Sequence, residues 1–188
     1  MVDLLYPYAP ARVLGKKAGA SEMLPIVEPN GLVVAQASRE YCHTHPSKLL
    51  HPVVHLHIID RRGRLFLQKR GAEKDIYPGR WDTAVGGHVS YGERIVEALR
   101  REASEELGLR EFNEQFISAY IFESESGKEL VHTFAVVGDY DIHPDNDEVQ
   151  DGRYWTESEI EENFGKSVFT PNFESEYGGL KQKLLALL

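Results

Sequence analysis

Residues 87–109 read Gly87-His-Val-Ser-Tyr-Gly-Glu93-Arg-Ile-Val-Glu-Ala-Leu-Arg-Arg101-Glu102-Ala103-Ser-Glu105-Glu106-Leu-Gly108-Leu109. Within this stretch, 94–107 carries the apolar spacing of an amphipathic helix, stopped by Gly108 just past its last turn. With Ile95 at zero, Val96, Leu99, Ala103 and Leu107 fall at about 100°, 40°, 80° and 120°, a single apolar arc. Arg94, Glu97, Arg101 and Ser104 take the opposite, solvated side. Glu106 falls at about 20°, inside the arc, Glu102 at about −20° on its edge, and Glu105 beside them at about −80°. Three carboxylates therefore converge on the rim of a buried face. Like charges that close repel when partly desolvated, unless something positive binds them. Carboxylate oxygens suit a hard divalent cation, Mg²⁺ or Mn²⁺. The competing account is a surface helix whose glutamates pair with Arg94, Arg100 and Arg101.

Outward from the helix, the chain alternates short strands and turns. Leu24–Val27 and Leu32–Ala35 flank Glu28-Pro29-Asn30-Gly31, a turn that predicts a hairpin, and Ser38 caps a short helical turn behind it. Pro52–Ile59 is a β-branched, apolar strand, turned by Asp60-Arg61-Arg62-Gly63 into Arg64–Gln68. A polar loop from Lys69 to Arg80 precedes a short strand at Thr83-Ala84-Val85. Phe116–Glu123 and Leu130–Val137 are strands around Ser126-Gly127-Lys128, and Arg153-Tyr154-Trp155 is a last short strand. Thr156-x-x-Glu159 is a capping box, and Thr170-Pro171 opens a terminal amphipathic helix. The sum is α/β (α+β): a mixed sheet with helices packed on it.

The chain has 188 residues, 41% hydrophobic and 27% charged, which reads as one globular domain and excludes a wholly disordered chain. It contains no apolar run long enough to span a bilayer. Asp3, Pro7 and Pro10 stand where a secretory signal needs a basic flank and an unbroken apolar stretch. With a lone cysteine, Cys42, the expectation is a cytoplasmic protein without an internal disulfide. A formal charge of −9 disfavours nucleic acid and anionic membrane as partners. Residues 1–23 read as an N-terminal arm and 24–188 as the single domain.

Including the loop ahead of the helix decides between the two accounts of the glutamates. The stretch resembles the Nudix box, G-x5-E-x7-R-E-U-x-E-E-x-G-U with U aliphatic or small apolar. Its seven fixed positions are Gly87, Glu93, Arg101, Glu102, Glu105, Glu106 and Gly108, with Ala103 and Leu109 at the apolar ones. The resemblance implies the Nudix fold, a mixed sheet sandwiched by helices, over a domain with an N-terminal hairpin and a C-terminal helix. It also implies hydrolysis of a diphosphate linkage, usually in a nucleoside diphosphate joined to another group X, with Mg²⁺ or Mn²⁺ as cofactor. Glu105 and Glu106 would then be metal ligands and Glu102 a further ligand or the base for the attacking water. Arg101 would orient Glu102, and Glu93 would anchor the loop. The Gly86 carbonyl would complete the metal shell, with an additional acid at Asp147 or Glu148. The substrate would be a small-molecule diphosphate that enters as a metal complex, which answers the negative net charge.

Beyond the box, Phe66-Leu67-Gln68-Lys69-Arg70 and Tyr77-Pro78-Gly79-Arg80-Trp81-Asp82 look like the strand and loop of Nudix proteins similar to isopentenyl-diphosphate isomerase. That isomerase carries its catalytic cysteine where this chain has Gly86, in Val85-Gly86-Gly87-His88. Isomerase activity is therefore the least favoured reading, behind a hydrolase and a non-catalytic Nudix-fold sensor. The resemblance also implies a possible second metal on His43, His51 and His88, whereas His55 and His57 share one strand face as packed or substrate-contacting residues. Arg70, Arg80 and Lys69 are candidate phosphate-gripping cations, and Trp81, Tyr77, Phe122 and Tyr154 candidate stacking surfaces, each weighed against a structural role. A homodimer through the N-terminal arm and hairpin completes the expectations.

Overall fold

A computed structural model describes residues 12–14, 22–44, 46, 48–74, 76–125, 127–142, 144 and 148–188; Asp147 and Ser126 lie outside them. In chain order the elements are β1 (Arg12–Leu14), β2 (Met23–Val27), β3 (Val33–Ser38), α1 (Arg39–Thr44), β4 (Leu50–Ile59), β5 (Leu65–Arg70), β6 (Trp81–Asp82) and β7 (Val85–His88). Then follow α2 (Ile95–Leu107), β8 (Gln115–Ser124), β9 (Gly127–Val137), β10 (Val149–Trp155), α3 (Glu157–Asn163) and α4 (Pro171–Leu185). One sheet runs β1-β3-β2 and the other β10-β5-β4-β9-β8, with β6 on β5 and β7 on β4. Two compact units emerge: Met1–Val54 with Gly87–Leu99 and Ser118–His132, and His55–Gly86 with Arg100–Ile117 and Thr133–Leu188. No described helix is long and apolar enough to cross a membrane.

In the first unit β2 and β3 form the expected antiparallel hairpin. Gly31 adopts φ 84°, a left-handed conformation that glycine takes without steric cost, and its N–H donates to the Glu28 carbonyl at 2.8 Å. Arg12–Leu14, within the segment read as a lead-in, is a strand parallel to β3. Ser38 Oγ accepts the Tyr41 N–H at 3.2 Å and so starts α1. Leu24, Ile26, Ala35, Ala37 and Cys42 form the core here.

In the second unit Asp60 organises the turn into β5. Its Oδ1 accepts the Arg62 and Arg64 N–H groups, both at 2.9 Å, and its Oδ2 takes Arg64 Nε at 2.7 Å. β10 pairs antiparallel with β5 and is longer than Arg153–Trp155, because Gly152 is part of it. A Cβ at Gly152 would stand 2.4 Å from Phe66 Cζ, so only glycine lets the strand pass over that ring. The strand expected at Thr83–Val85 is instead broken: β6 ends at Asp82 and β7 begins at Val85. The reason is local. Asp82 Oδ1 captures the Thr83 N–H at 2.9 Å and the Thr170 hydroxyl at 2.8 Å, which removes a ladder donor. Thr156 and Glu159 make the capping box of α3, and Thr170 caps α4. Phe169, Phe173, Tyr177, Leu180 and Leu184 then pack against Ile59, Leu65, Leu67 and Trp155.

Candidate functional site

Candidate metal-ligating side chains fall in both units, and among the described residues those of the first bring three ligand atoms within 4.8 Å of one another. In the second unit they come from the C-terminal half of α2. Ala103 and Leu107 are buried, and Glu106 is buried with them at 5% exposure. Its Oε2 accepts the Gly86 N–H at 3.1 Å and Gln68 Nε2 at 2.8 Å, and Gln68 also donates to the Ala84 carbonyl at 3.2 Å. Burial pushes the Glu106 carboxyl up to about 8; the Gly86 bond opposes the rise and the Glu102 charge adds to it. Lys74 offsets it least among these effects, and Lys74 Nζ is held by Glu148 at 2.6 Å. Arg101 Nη1 donates to Glu102 Oε1 at 2.7 Å and to Glu105 Oε2 at 3.1 Å, so one guanidinium orders both carboxylates. A buried carboxyl held by neutral donors beside a second carboxylate is a cradle for positive charge. Carboxylate oxygens of this kind suit a hard divalent cation such as Mg²⁺ or Mn²⁺.

Several other expected residues have protein partners. Glu93, in the first unit, accepts the Ser90 N–H at 3.0 Å and closes the turn ahead of α2. Arg70 donates to Asp82 at 3.2 Å and to the Ile76 carbonyl at 3.0 Å. Arg80 lies over the Tyr77 ring at 5.1 Å, and Trp81 meets Trp155 edge-on at 5.1 Å. Tyr154 meets the Phe66 ring at 5.3 Å and its hydroxyl donates to the Tyr140 carbonyl at 3.3 Å. Glu148 is exposed and ion-paired with Lys74.

In the first unit His43, His51 and His88 bring three ligand nitrogens within 4.8 Å of one another. His43 Nε2 and His88 Nε2 are 3.1 Å apart. His51 Nδ1 donates to the Leu49 carbonyl at 2.9 Å, which leaves Nε2 as the lone-pair nitrogen, buried and without a hydrogen-bond partner. Burial pushes His51 down to about 4, so it stays in the neutral form that ligates. A Cβ at Gly127 would meet His43 Nδ1 at 3.4 Å, an ordinary packing distance, so β9 begins beside the His43 ring. Three imidazoles with an orphaned nitrogen fit a transition metal such as zinc.

Two residues near these groups were not singled out from sequence. Gln68 was read only as strand, and Glu176 of α4 was not read at all, although it is buried against His55 and His57. The signal for Glu176 was available: Phe173, Tyr177, Leu180 and Leu184 are buried on α4, and Glu176 sits among them.

The NUDIX domain family model matches residues 49–173. An uncharacterised Nudix hydrolase of Streptomyces coelicolor is 32% identical over 171 residues, covering 89% of this chain and 92% of that protein. An isopentenyl-diphosphate Delta-isomerase of Streptomyces griseus is 29% identical over 161 residues, covering 80% and 79%. Among solved structures, DR0079 from Deinococcus radiodurans superposes with a TM-score of 0.62 at 25% identity, over 74% of this chain and 86% of that one. The mixed fold, the complete box from Gly87 to Leu109 and these matches agree, and the chain belongs to the Nudix hydrolase family.

Proposed function

We propose that this protein is a Mg²⁺- or Mn²⁺-dependent diphosphohydrolase that cleaves a diphosphate linkage in a nucleoside diphosphate joined to X, or in a related small molecule. The observation that carries the reading is Glu106, a carboxyl buried beside Glu102 with its pKa raised to about 8. Such a group is costly unless it meets a cation.

A divalent cation held there supplies charge against the diphosphate oxygens and lowers the pKa of water. The chain's own residues do the rest. Gly86 N–H and Gln68 fix one Glu106 oxygen, and the carboxylate they order would be a ligand to the cation. Arg101 holds Glu102 in place as ligand or base and keeps Glu105 beside it. Glu93 fixes the turn into α2. Glu148 would serve as the additional acid by leaving Lys74, and Arg70, Arg80 and Trp81 would meet substrate along the 69–82 loop. The same reading takes residues 24–188 as the catalytic domain behind an arm, with a homodimer supported by the exposed Leu32 and Val34 on the hairpin. A reducing cytoplasm suits its buried Cys42, whose thiol burial pushes up to about 11.

A second metal on His43, His51 and His88 is favoured by the orphaned His51 nitrogen. The isomerase reading is disfavoured by Gly86, which places no thiol ahead of Gly87-His88. The test is a panel of nucleoside diphosphate sugars, dinucleoside polyphosphates, nucleoside triphosphates, nucleotide coenzymes and isoprenoid diphosphates with Mg²⁺ or Mn²⁺. One member is expected to be cleaved, with at least about a hundredfold loss in Glu106→Gln. Tight binding without turnover would replace the hydrolase by a sensor, and isomerised isoprenoid by an isomerase.

A further inference from the structure

Glu176 is the one described carboxylate of α4 that is driven into the core: its side chain is fully buried, and the expected hydrolysis does not use it. His55 Nδ1 donates to Glu176 Oε2 at 2.8 Å, and His57 Nε2 approaches the same oxygen at 3.3 Å, an ion-pair contact without good hydrogen-bond geometry. The Thr133 hydroxyl donates to Oε1. Burial alone would raise this carboxyl; the two imidazole charges and their bonds overcome it and hold it well below the usual range. Apolar residues in place of the whole Glu176, His55 and His57 group would hold the core as well or better, so the buried charges call for another reason.

That reason lies one residue further on. A Cβ at Gly86 would stand 3.5 Å from His55 Cδ2 and 3.6 Å from His55 Nε2, ordinary packing distances, so the imidazole is the side chain that Gly86 faces. The Gly86 N–H in turn holds Glu106. Glu176, His55, Gly86 and Glu106 thus follow one another as neighbours within the second unit, hydrogen-bonded at both ends of the series.

We propose that Glu176 is a positioning residue for the carboxylate metal site, fixing the Gly86 peptide through the His55 ring. The inference rests on the metal reading of Glu102, Glu105 and Glu106. The ring's rotation about its Cβ bond is set by the Nδ1 bond to Glu176, and its edge sets how the Gly86 peptide lies. The N–H that orders Glu106 and the carbonyl expected to ligate belong to the β7 residue placed this way.

Two readouts on the full chain test it: amide hydrogen exchange at Gly86 in metal-free protein, and the component of Mn²⁺ binding that Glu105→Gln removes, followed by electron paramagnetic resonance. Glu176→Gln keeps an acceptor for His55 and can turn its amide towards Thr133, but loses the charge. It should speed exchange at Gly86 about fivefold or more and weaken that Mn²⁺ component about tenfold. Thr133→Val removes only the Oε1 donor; it should lower Tm and leave both readouts within about twofold. If Glu176→Gln does not fold, His55→Gln carries the test, since its amide keeps a donor for Glu176 but withdraws the ring from Gly86, and the same two changes are expected. A folded Glu176→Gln or His55→Gln with unchanged Gly86 exchange and Mn²⁺ binding would reduce the network to a strut and overturn the proposal. If Glu105→Gln removes no Mn²⁺ component, the metal reading itself fails, and Gly86 exchange alone decides whether Glu176 positions this part of β7.

Discussion

Glu106 of α2 and Glu176 of α4 are both glutamates embedded in the apolar face of a helix, at 5% and 2% exposure. Their carboxyls nevertheless move in opposite directions, Glu106 up to about 8 and Glu176 below the ordinary range. Burial raises both; the partners decide the outcome. Glu106 receives one peptide N–H and one amide, and faces the Glu102 charge. Glu176 receives two imidazoles and a hydroxyl. Glu176 has two imidazole charges beside it, whereas Glu106 has a like-charged carboxylate beside it and a weaker effect from Lys74. A glutamate on a buried helix face is therefore held ionised only where neighbouring positive charge outweighs burial.

The comparison can be broken most sharply at Glu176. Glu176→Leu should cost about 3–5 kcal/mol if His55 and His57 are left buried without their counter-charge, a fall of roughly 10 °C in Tm by calorimetry. A rise in Tm would mean that the ion pairs were dispensable. Glu106→Gln should act with the opposite sign in metal-free protein. Its native pKa lies above the unfolded value, so its contribution is intact below about 4.5 and is lost as pH rises through about 8. Metal-free wild-type protein should therefore lose a few kcal/mol across that window, and the amide variant should melt higher above pH 8. Glu176, with its native pKa depressed, supports the fold above its unfolded value and loses that support in acid. His51 adds a buried base to the series: His51→Ala should weaken zinc binding at least about tenfold, read by competition with a chromophoric chelator, while leaving Mg²⁺ binding intact. The smallest effect belongs to an exposed cap. Thr156→Ala, which removes the acceptor for the Glu159 N–H, should cost about 1 kcal/mol whether or not Mg²⁺ is present.

Glu106 was legible in the sequence because its helix declares its own period: Ile95, Leu99, Ala103 and Leu107 define an arc, and a carboxylate inside an arc is an anomaly. The hairpins and caps were legible for a similar reason, since Asp60, Ser38, Thr156 and Thr170 act on residues within a few positions of themselves. Glu176 obeys the same arithmetic as Glu106, but its meaning depends on His55 and Thr133, which lie far away in the chain and reach it only through the fold. The break at Thr83-Ala84 was hidden likewise, because Asp82 answers to Arg70 and Thr170, one of them on the cap of α4. Local period and capping are written in short stretches; the pairing of buried charges is written across the whole chain.

Thermal melting of wild-type protein and Glu106→Gln at pH 8, each with and without saturating Mg²⁺, tests the central claim most directly. The carboxylate site predicts that Mg²⁺ at a hundred times its dissociation constant stabilises wild-type protein by about 2.7 kcal/mol, several degrees in Tm. Glu106→Gln should already melt high and should not respond. Equal responses in both proteins, or none in either, would contradict the claim that Glu106 is built to meet a cation.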